Sequence, residues 1–130
     1  MAHQKGSSHK KAVKRARESF DKGVQLLKAG LLVKAAAAFT RALTLYQQVP
    51  GTHEDQADCL YNTGNTLSKM GRYEEALAAY QQTLILYREL PGTQRQQASC
   101  LYNTGYALRR MDRWENALTS YQQALNLYQQ

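Results

Sequence analysis

The sequence is poor in residues that interrupt, cross-link or anchor a chain. Its 130 residues include two prolines, two cysteines and one tryptophan. Few prolines leave room for long uninterrupted helices, because proline breaks a helix interior. No apolar run approaches the ~20 residues that a membrane span needs, and residues 1–11 lack the apolar core of a secretory signal. We therefore expect a cytoplasmic protein with no membrane partner.

Acidic residues are missing from the first 17 positions, where six basic residues give a charge of +6. The other 11 basic and 10 acidic residues nearly cancel, so the net charge of +7 is concentrated at the N-terminus. We expect residues 1–11 to form a basic, flexible arm before a single domain at 12–130. Such an arm could neutralise nucleic-acid phosphates, although no aromatic residues interleave its basic ones. Binding of nucleic acid or another polyanion is kept as a disfavoured alternative.

The two cysteines and three histidines do not form a chemical site. Cys59 and Cys100 occupy equivalent positions of an internal repeat, about 8–10 Å apart in a stack of helices. Because a disulfide needs Cα atoms within ~7 Å, we expect two small buried thiols in a reducing compartment. The histidines lie in the N-terminal segment and in a link, without a helix-spaced partner. We predict no metal, no cofactor and no enzymatic activity.

A repeat of 41 residues organises the chain. The hexapeptide that begins at Cys59 recurs at Cys100, and 100 − 59 = 41. Residues 57–89 and 98–130 agree at 19 of 33 positions at this offset, and a fainter copy precedes them. A fixed period of this length predicts a repeat architecture. The repeats are expected at about 12–51, 52–92 and 93–130.

Each copy carries an apolar pattern of helical period, a tight turn, a second helical pattern and, in the first two copies, a Pro-Gly link. The sequence therefore predicts an all-α solenoid of three helix-turn-helix repeats, six antiparallel helices in all. Ser7 or Ser8 is expected to cap the first helix, and Thr52 to begin the third through a capping box with Asp55. The predicted helices run from about Ser8 to Ala29, and over 32–48, 52–70, 73–89, 94–111 and 114–130.

Small and large residues suggest how the helices pack. Gly64 should face Ala76, and Gly105 should face Ala117, while Tyr80 and Tyr121 fill the wider space. Tyr73 and Trp114 are expected to pack back onto the first helix of their pair. The last helix has no following helix to cover it, so we expect weak self-association through its apolar residues, which are Ala117, Leu118, Tyr121, Ala124, Leu125, Leu127 and Tyr128.

The copies resemble the tetratricopeptide repeat. The second copy has Leu60, Gly64, Ala76 and Tyr80 at the positions where that family has a large residue, a small residue, alanine and an aromatic residue. The usual unit is 34 residues, and the longer unit here resembles the variant of kinesin light chain-like proteins. The resemblance implies a right-handed α-solenoid that acts as a protein-interaction scaffold. It implies no catalysis.

The same resemblance implies which residues face the concave groove and bind a peptide or helix of a partner protein. Asn62 and Asn103 are the foremost candidates, because an Asn side chain offers both a donor and an acceptor to a peptide backbone. Basic groups in the groove favour an acidic or extended ligand. The carboxylate clamp of chaperone-binding members is matched only at Asn62. The predicted groove residues are Lys28, Tyr61, Asn62, Asn65, Lys69, Tyr102, Asn103, Tyr106, Arg109 and Arg110.

Overall fold

The computed structural model describes residues 2–130, with side-chain environments from residue 6 onward. It contains six helices and no strand in that range, which confirms the predicted all-α architecture of three helix pairs. Each helix packs against the next along the chain. The helices are α1 (Ala2–Lys28), α2 (Leu32–Gln47), α3 (His53–Lys69), α4 (Tyr73–Arg88), α5 (Gln94–Arg110) and α6 (Trp114–Tyr128).

Helix α1 begins earlier than expected. It starts at Ala2 and passes through Gly6, Ser7 and Ser8 without interruption, whereas we predicted a cap at one of the two serines. Serine and glycine lower helix propensity by at most about 1 kcal/mol each, and neither blocks helical geometry as proline does. The basic residues of the N-terminal segment therefore stand on a continuous helix, and Met1 lies outside the described residues.

Residues with positive φ close the short turns within the pairs. Gly30 and Gly71 have φ of 78° and 76°, and Asp112, at the equivalent position of the third pair, has φ of 61°. This left-handed conformation is free of strain for glycine but costs other residues about 1 kcal/mol or more. The third turn keeps the geometry of the other two despite the substitution.

The links between repeats use threonine differently from the prediction. The hydroxyl of Thr52 does not cap α3 but lies 2.6 Å from the carbonyl oxygen of Tyr46 and 2.9 Å from that of Val49, at the end of α2. The side-chain amide of Gln56 donates to the same hydroxyl oxygen at 3.1 Å. The buried hydroxyl therefore fastens α3 to the end of the preceding helix, because it donates to one carbonyl of the last turn of α2 and to one of the link that follows.

The second link repeats this arrangement. The Thr93 hydroxyl donates to the carbonyl oxygens of Tyr87 and Leu90, and Gln97 donates to the Thr93 hydroxyl at 3.0 Å. Thr93 makes no side-chain cap bond to α5. Both repeat junctions in the chain are thus built from the same Thr and Gln pair.

The glycines on the first helix of each pair lie against an aromatic ring of the second helix. A Cβ atom at Gly64 would come within 2.6 Å of Tyr80 Cε1, and one at Gly105 within 2.8 Å of Tyr121 Cε1. Gly23 meets Phe39 in the same way at 2.7 Å. The absent side chain makes room for the ring that fills the space between the paired helices.

The two cysteines occupy the junctions between pairs, as predicted for small buried residues. Cys59 packs with Ala16, Ala42 and Tyr46, and Cys100 packs with Ala76 and Tyr80. Both thiols are free and fully buried. The Cys100 thiol donates to the carbonyl oxygen of Tyr80 at 3.3 Å. Burial raises the pKa of each thiol to about 12, because an apolar environment disfavours the thiolate.

The aromatic residues of the third pair are less buried than expected. Tyr80 is 2% exposed and belongs to the core, but its equivalent Tyr121 is only half-buried. Trp114 is 59% exposed, so the expectation that it packs back as a core residue is wrong. The physical reason is position: α5 covers α4, whereas no helix in the described chain covers the corresponding side of α6.

Candidate functional site

A cleft of about 540 Å³ opens between the first helices of the three pairs. Leu27 from α1, Ser68 and Lys69 from α3, and Tyr102 and Tyr106 from α5 line it, together with Asn65, Tyr80 and Asn103. Five of the predicted groove residues, Asn65, Lys69, Tyr102, Asn103 and Tyr106, therefore meet in one place. Tyr102 and Tyr106 are 54% and 39% exposed, so their rings are available to a ligand.

A hydrogen-bond network forms the floor of this cleft. The side-chain amide of Asn103 donates to Tyr61 Oη at 2.8 Å and to Asn65 Oδ1 at 2.9 Å. The Tyr80 hydroxyl donates to the same oxygen of Asn65 at 2.6 Å. The network joins the second repeat to the third. It also fixes the orientation of both asparagine side chains, because each of them takes part in at least two of these hydrogen bonds.

The network leaves one donor group and one acceptor group for a ligand. Both N–H bonds of the Asn103 amide are used, but its Oδ1 makes no side-chain hydrogen bond within residues 6–130. Asn65 is the reverse: its Oδ1 accepts two bonds, and its side chain also hydrogen-bonds Tyr61, which partly offsets the rise that burial causes in the pKa of that hydroxyl, so one N–H of its Nδ2 remains for a ligand. A peptide unit has one N–H and one C=O. The two asparagines can therefore accept from and donate to the backbone of an extended segment.

Asn62, the other predicted clamp residue, does not line the cleft. Its side-chain amide donates to the carbonyl oxygen of Asp58, four residues earlier on the same helix, at 2.9 Å. Asn65 stands in the place that we expected Asn62 to fill. Asn62 and Asn65 are asparagines three residues apart on α3, and the sequence pattern alone did not show which of them faces the cleft.

The predicted basic residues fall into different settings. Lys69 lines the cleft, whereas its repeat equivalent Lys28 is exposed outside it. The Arg109 guanidinium lies over the Tyr106 ring, 5.3 Å from its centroid, at the rim. Arg110 is directed elsewhere: its Nε donates to Tyr73 Oη at 3.2 Å, and this bond raises the pKa of the guanidinium. Lys69 and Arg109 are thus the cations nearest a ligand in the cleft.

Tyr61 lies beneath the network and also contributes to a second, smaller cleft. That cleft, of about 180 Å³, is lined by Tyr61, Tyr87, Arg95, Gln96 and Ser99. Burial is the main cause that raises the pKa of Tyr61. Arg95 is not among the predicted groove residues, because the 34-residue motif begins after it. The longer repeat extends α5 by a turn at its start, and that extra turn carries Arg95.

Asp58 and Tyr87 form a further contact near the second cleft. The Tyr87 hydroxyl donates to Asp58 Oδ1, from α4 to α3. Burial raises the pKa of the Asp58 carboxyl, and the hydrogen bond from Tyr87 opposes that shift. The corresponding pair in the third repeat is Ser99 and Tyr128, whose oxygens are 3.5 Å apart. The second repeat therefore has a carboxylate at this position, whereas the third repeat has a serine.

The described residues offer neither a metal-binding cluster nor a membrane-spanning helix. No group of three His, Cys, Asp or Glu side chains there could hold a metal ion. None of the described helices is long and apolar enough to cross a membrane.

Comparison with known proteins identifies relatives of this architecture. The chain matches the family model of the tetratricopeptide repeat over residues 14–88 and again over 64–130. No curated protein matches the sequence significantly. Among solved structures, one entitled crystal structure of MamA is similar over 88% of this chain, with 23% identity and a TM-score of 0.71. This chain spans 58% of the length of that protein.

Two other solved structures superpose better at lower identity. BtubC (BKLC) from P. vanneervenii, a kinesin light chain-like protein, has a TM-score of 0.81 at 14% identity and covers 87% of this chain, which spans 46% of it. The N-terminal domain of stress-induced protein-1 (STI-1) from C. elegans has a TM-score of 0.78 at 14% identity. It covers 92% of this chain, which spans 88% of that domain.

At these identities the likeness in structure shows the fold, whereas the family model shows the ancestry of the repeat itself. The model matches successive pairs of repeats and together its two matches include residues 14–130. Members of this family are protein-interaction scaffolds of a non-enzymatic type. The chain belongs to the tetratricopeptide repeat family.

Proposed function

We propose that the chain is a scaffold that binds an extended, acidic segment of a partner protein in the 540 Å³ cleft. The observation that carries this proposal is the pair of free polar groups at its floor, Asn65 Nδ2 and Asn103 Oδ1. They are held by a network that the ligand does not have to form. Binding to a preorganised site loses less conformational entropy than binding to a mobile one.

The walls of the cleft suggest how the side chains of a ligand would be held. Tyr102 and Tyr106 present large, rigid rings, and such residues provide much of the binding energy at protein interfaces. Leu27 supplies an apolar surface on the opposite side. The peptide backbone would therefore pair with the asparagines while its side chains pack against tyrosine and leucine.

The charge around the cleft favours acidic residues in the ligand. Lys69 lines it, Arg109 stands at its rim over Tyr106, and Arg95 lines the adjoining smaller cleft. Exposed ion pairs contribute about 0–1 kcal/mol each. The cations should thus select among ligands and accelerate association, while the rings and asparagines provide most of the affinity.

Selection of peptides from a random display library tests the proposal. The selected peptides should be enriched in Asp and Glu, and their affinity should be measured by fluorescence anisotropy at two salt concentrations. Tyr106→Ala and Lys69→Glu should weaken binding, the first by about tenfold or more because a ring contact is lost. Neither change touches a buried residue, so the melting temperature should stay within a few degrees of the wild type.

The repeat supplies a matched control for the charge change. Lys28→Glu makes the same substitution at the equivalent position of the first repeat, outside the cleft. Its affinity for the selected peptides should equal that of the wild type at physiological salt. Equal losses in Lys28→Glu and Lys69→Glu would show a general charge effect and would contradict binding in this cleft.

A second candidate function is the binding of a polyanion at the other end of the stack. Arg15, Lys22, Lys34 and Arg41 line two adjoining clefts of about 430 and 340 Å³ on the outer side of α1 and α2, with Glu18 as the one acidic lining residue. A labelled DNA duplex should then bind with a strong dependence on salt, and Lys34→Glu with Arg41→Glu should abolish it. Binding unaffected by that double change would place the interaction on another surface.

We also propose that the protein acts in the cytoplasm and carries out no catalysis itself. The two free, buried thiols support a reducing compartment, because oxidising compartments favour disulfides.

A further inference from the structure

One apolar stripe runs along the whole of α6 and is largely uncovered. Its members are Trp114, Leu118, Tyr121, Leu125 and Tyr128, which are spaced alternately by four and three residues. This is the spacing of the contact positions in a pair of coiled helices. Four of the five are 54–59% exposed, and Tyr121 is half-buried.

The second repeat shows what the same stripe does when it is covered. Its equivalents on α4 are Tyr73, Leu77, Tyr80, Leu84 and Tyr87, and α5 packs across them. Leu77 is 8% exposed, compared with 59% for Leu118, and Tyr87 is 2% exposed, compared with 56% for Tyr128. The stripe is thus a helix-docking surface, and the structure shows one copy of it in use and one copy free.

The first repeat cannot cover this stripe in a head-to-tail stack. The residues of α3 that close the first junction include Gln56 and Cys59, and their equivalents on α1 are Arg15 and Glu18. Burying these charged side chains against tyrosine and leucine would remove their hydration, and pairing between them along the helix would offset only part of a cost of several kcal/mol. The cationic end and the apolar end of the stack therefore do not match each other.

The stripe does match itself. Its solvent-side neighbours are Glu115, Gln122 and Gln129, so two copies brought together by a two-fold axis meet little repulsion between like charges. Beside the stripe, Tyr102, Tyr121 and Leu125 border an open apolar pocket of about 410 Å³. A side chain of the partner's stripe can enter that pocket, and two-fold symmetry would fill both pockets at once.

The exposed area suits a weak dimer. A large side chain exposes about 150–250 Å² when fully free, so the four exposed stripe residues, each 54–59% exposed, offer roughly 350–550 Å² per copy. Two copies would bury about 700–1,100 Å², which is the size of a weak, transient interface. We propose that the α6 stripe pairs with the same stripe of a second copy of this chain, to form a two-fold dimer that dissociates in the micromolar range.

Sedimentation velocity of the whole chain and the fluorescence of its one tryptophan test this dimer. The mass should rise from 14.7 kDa toward twice that value as concentration increases. Trp114 lies in the stripe and is the only tryptophan, so its emission should shift to the blue over the same concentrations. Leu118→Glu with Leu125→Glu should remain monomeric at all of them, and both positions are exposed enough to accept a charge without unfolding.

Ile85→Glu is the matched control, because Ile85 is 59% exposed but lies on α4 outside the stripe. It should dimerise as the wild type does. A wild type that stays monomeric at several hundred micromolar would overturn the proposal, as would a double variant that still dimerises. A synthetic peptide of residues 91–111, which includes the helix that covers the α4 stripe, should not bind the monomer more tightly than a second copy does. Tighter binding would show that the stripe serves a following helix and would also overturn self-pairing.

Discussion

Adding a single methyl group at Gly64 should destabilise the protein, whereas the same change at Gly105 should not. At Gly64 the new Cβ would lie 2.6 Å from Tyr80 Cε1 and 2.8 Å from Tyr80 Cδ1. Carbon atoms prefer about 3.5–4.0 Å, so the ring would have to move by roughly 1 Å. Tyr80 is 2% exposed, and its hydroxyl is bonded to Asn65. Moving the ring would break this bond and disturb its packing against Ala76 and Cys100.

The free energy of unfolding follows from two opposing effects. Forcing an extra methyl into a packed core costs about 1–3 kcal/mol, and replacing glycine by alanine within a helix returns about 1 kcal/mol at most. The difference is about 0–2 kcal/mol, and because Tyr80 is buried and hydrogen-bonded we expect Gly64→Ala to lose about 1–2 kcal/mol of stability, or roughly 3–10 °C in melting temperature for a chain of this size. Gly23→Ala should behave alike, because its Cβ meets the fully buried Phe39 at 2.7 Å.

Gly105→Ala starts from nearly the same geometry, with Tyr121 Cε1 at 2.8 Å. Its ring, however, is half-buried and borders the open pocket beside α6, so it can swing aside. The gain in helix propensity should then balance or exceed the cost. Urea and thermal unfolding followed by circular dichroism, at a concentration below the range in which the proposed dimer would form, would measure all three variants. A Gly64→Ala variant as stable as the wild type, or an equal loss at Gly105, would refute the argument.

Three further predictions concern single side chains. Because burial raises the pKa of Cys59 and Cys100 to about 12, a thiol reagent at about pH 8 should react far more slowly with the folded than with the urea-unfolded protein; equal rates would contradict this burial. The pKa of Asp58 is raised on folding, so the stability it contributes is present at low pH and is lost as pH rises through its folded pKa. Asp58→Asn, which keeps an acceptor for Tyr87, should then raise the urea midpoint more at about pH 7 than at about pH 4, and the opposite trend would count against the assignment. Asp112 has φ of 61°, so Asp112→Gly should stabilise by about 0.5–1 kcal/mol in the same assay; a loss would mean that the aspartate side chain supports the turn.

The architecture could be predicted well from the sequence, because the same helical pattern occurs in three copies. The spacing of apolar residues indicates all six helices, the turn glycines and Pro-Gly links agree with it where they occur, and agreement among independent signals makes such a prediction secure. The start of α1 was the boundary that failed, since nothing as decisive as proline marks it. Helix ends are the least determined part of any such pattern.

The functional site was predicted less completely, for reasons that lie beyond one helix. Asn62 and Asn65 are both polar residues of α3, but only Asn65 is reached by Tyr80 and Asn103, which come from other helices. The Thr52 hydroxyl had two available partners, the helix before it and the helix after it, and the choice depended on how the link turns. The burial of Trp114 depended on a neighbouring helix that the described chain lacks.

The Thr and Gln pairs at the two links have a consequence for how such a groove can be lengthened. Thr52 with Gln56, and Thr93 with Gln97, hold each new helix to the same carbonyls of the helix before it. The rotation from one repeat to the next is therefore determined by a few hydrogen bonds at each junction, and the residues that make them are part of the 41-residue unit. A duplicated 41-residue unit would bring its own junction and would join the stack at the same angle. Curvature would then stay constant while the number of ligand residues that the groove can hold increases with each copy.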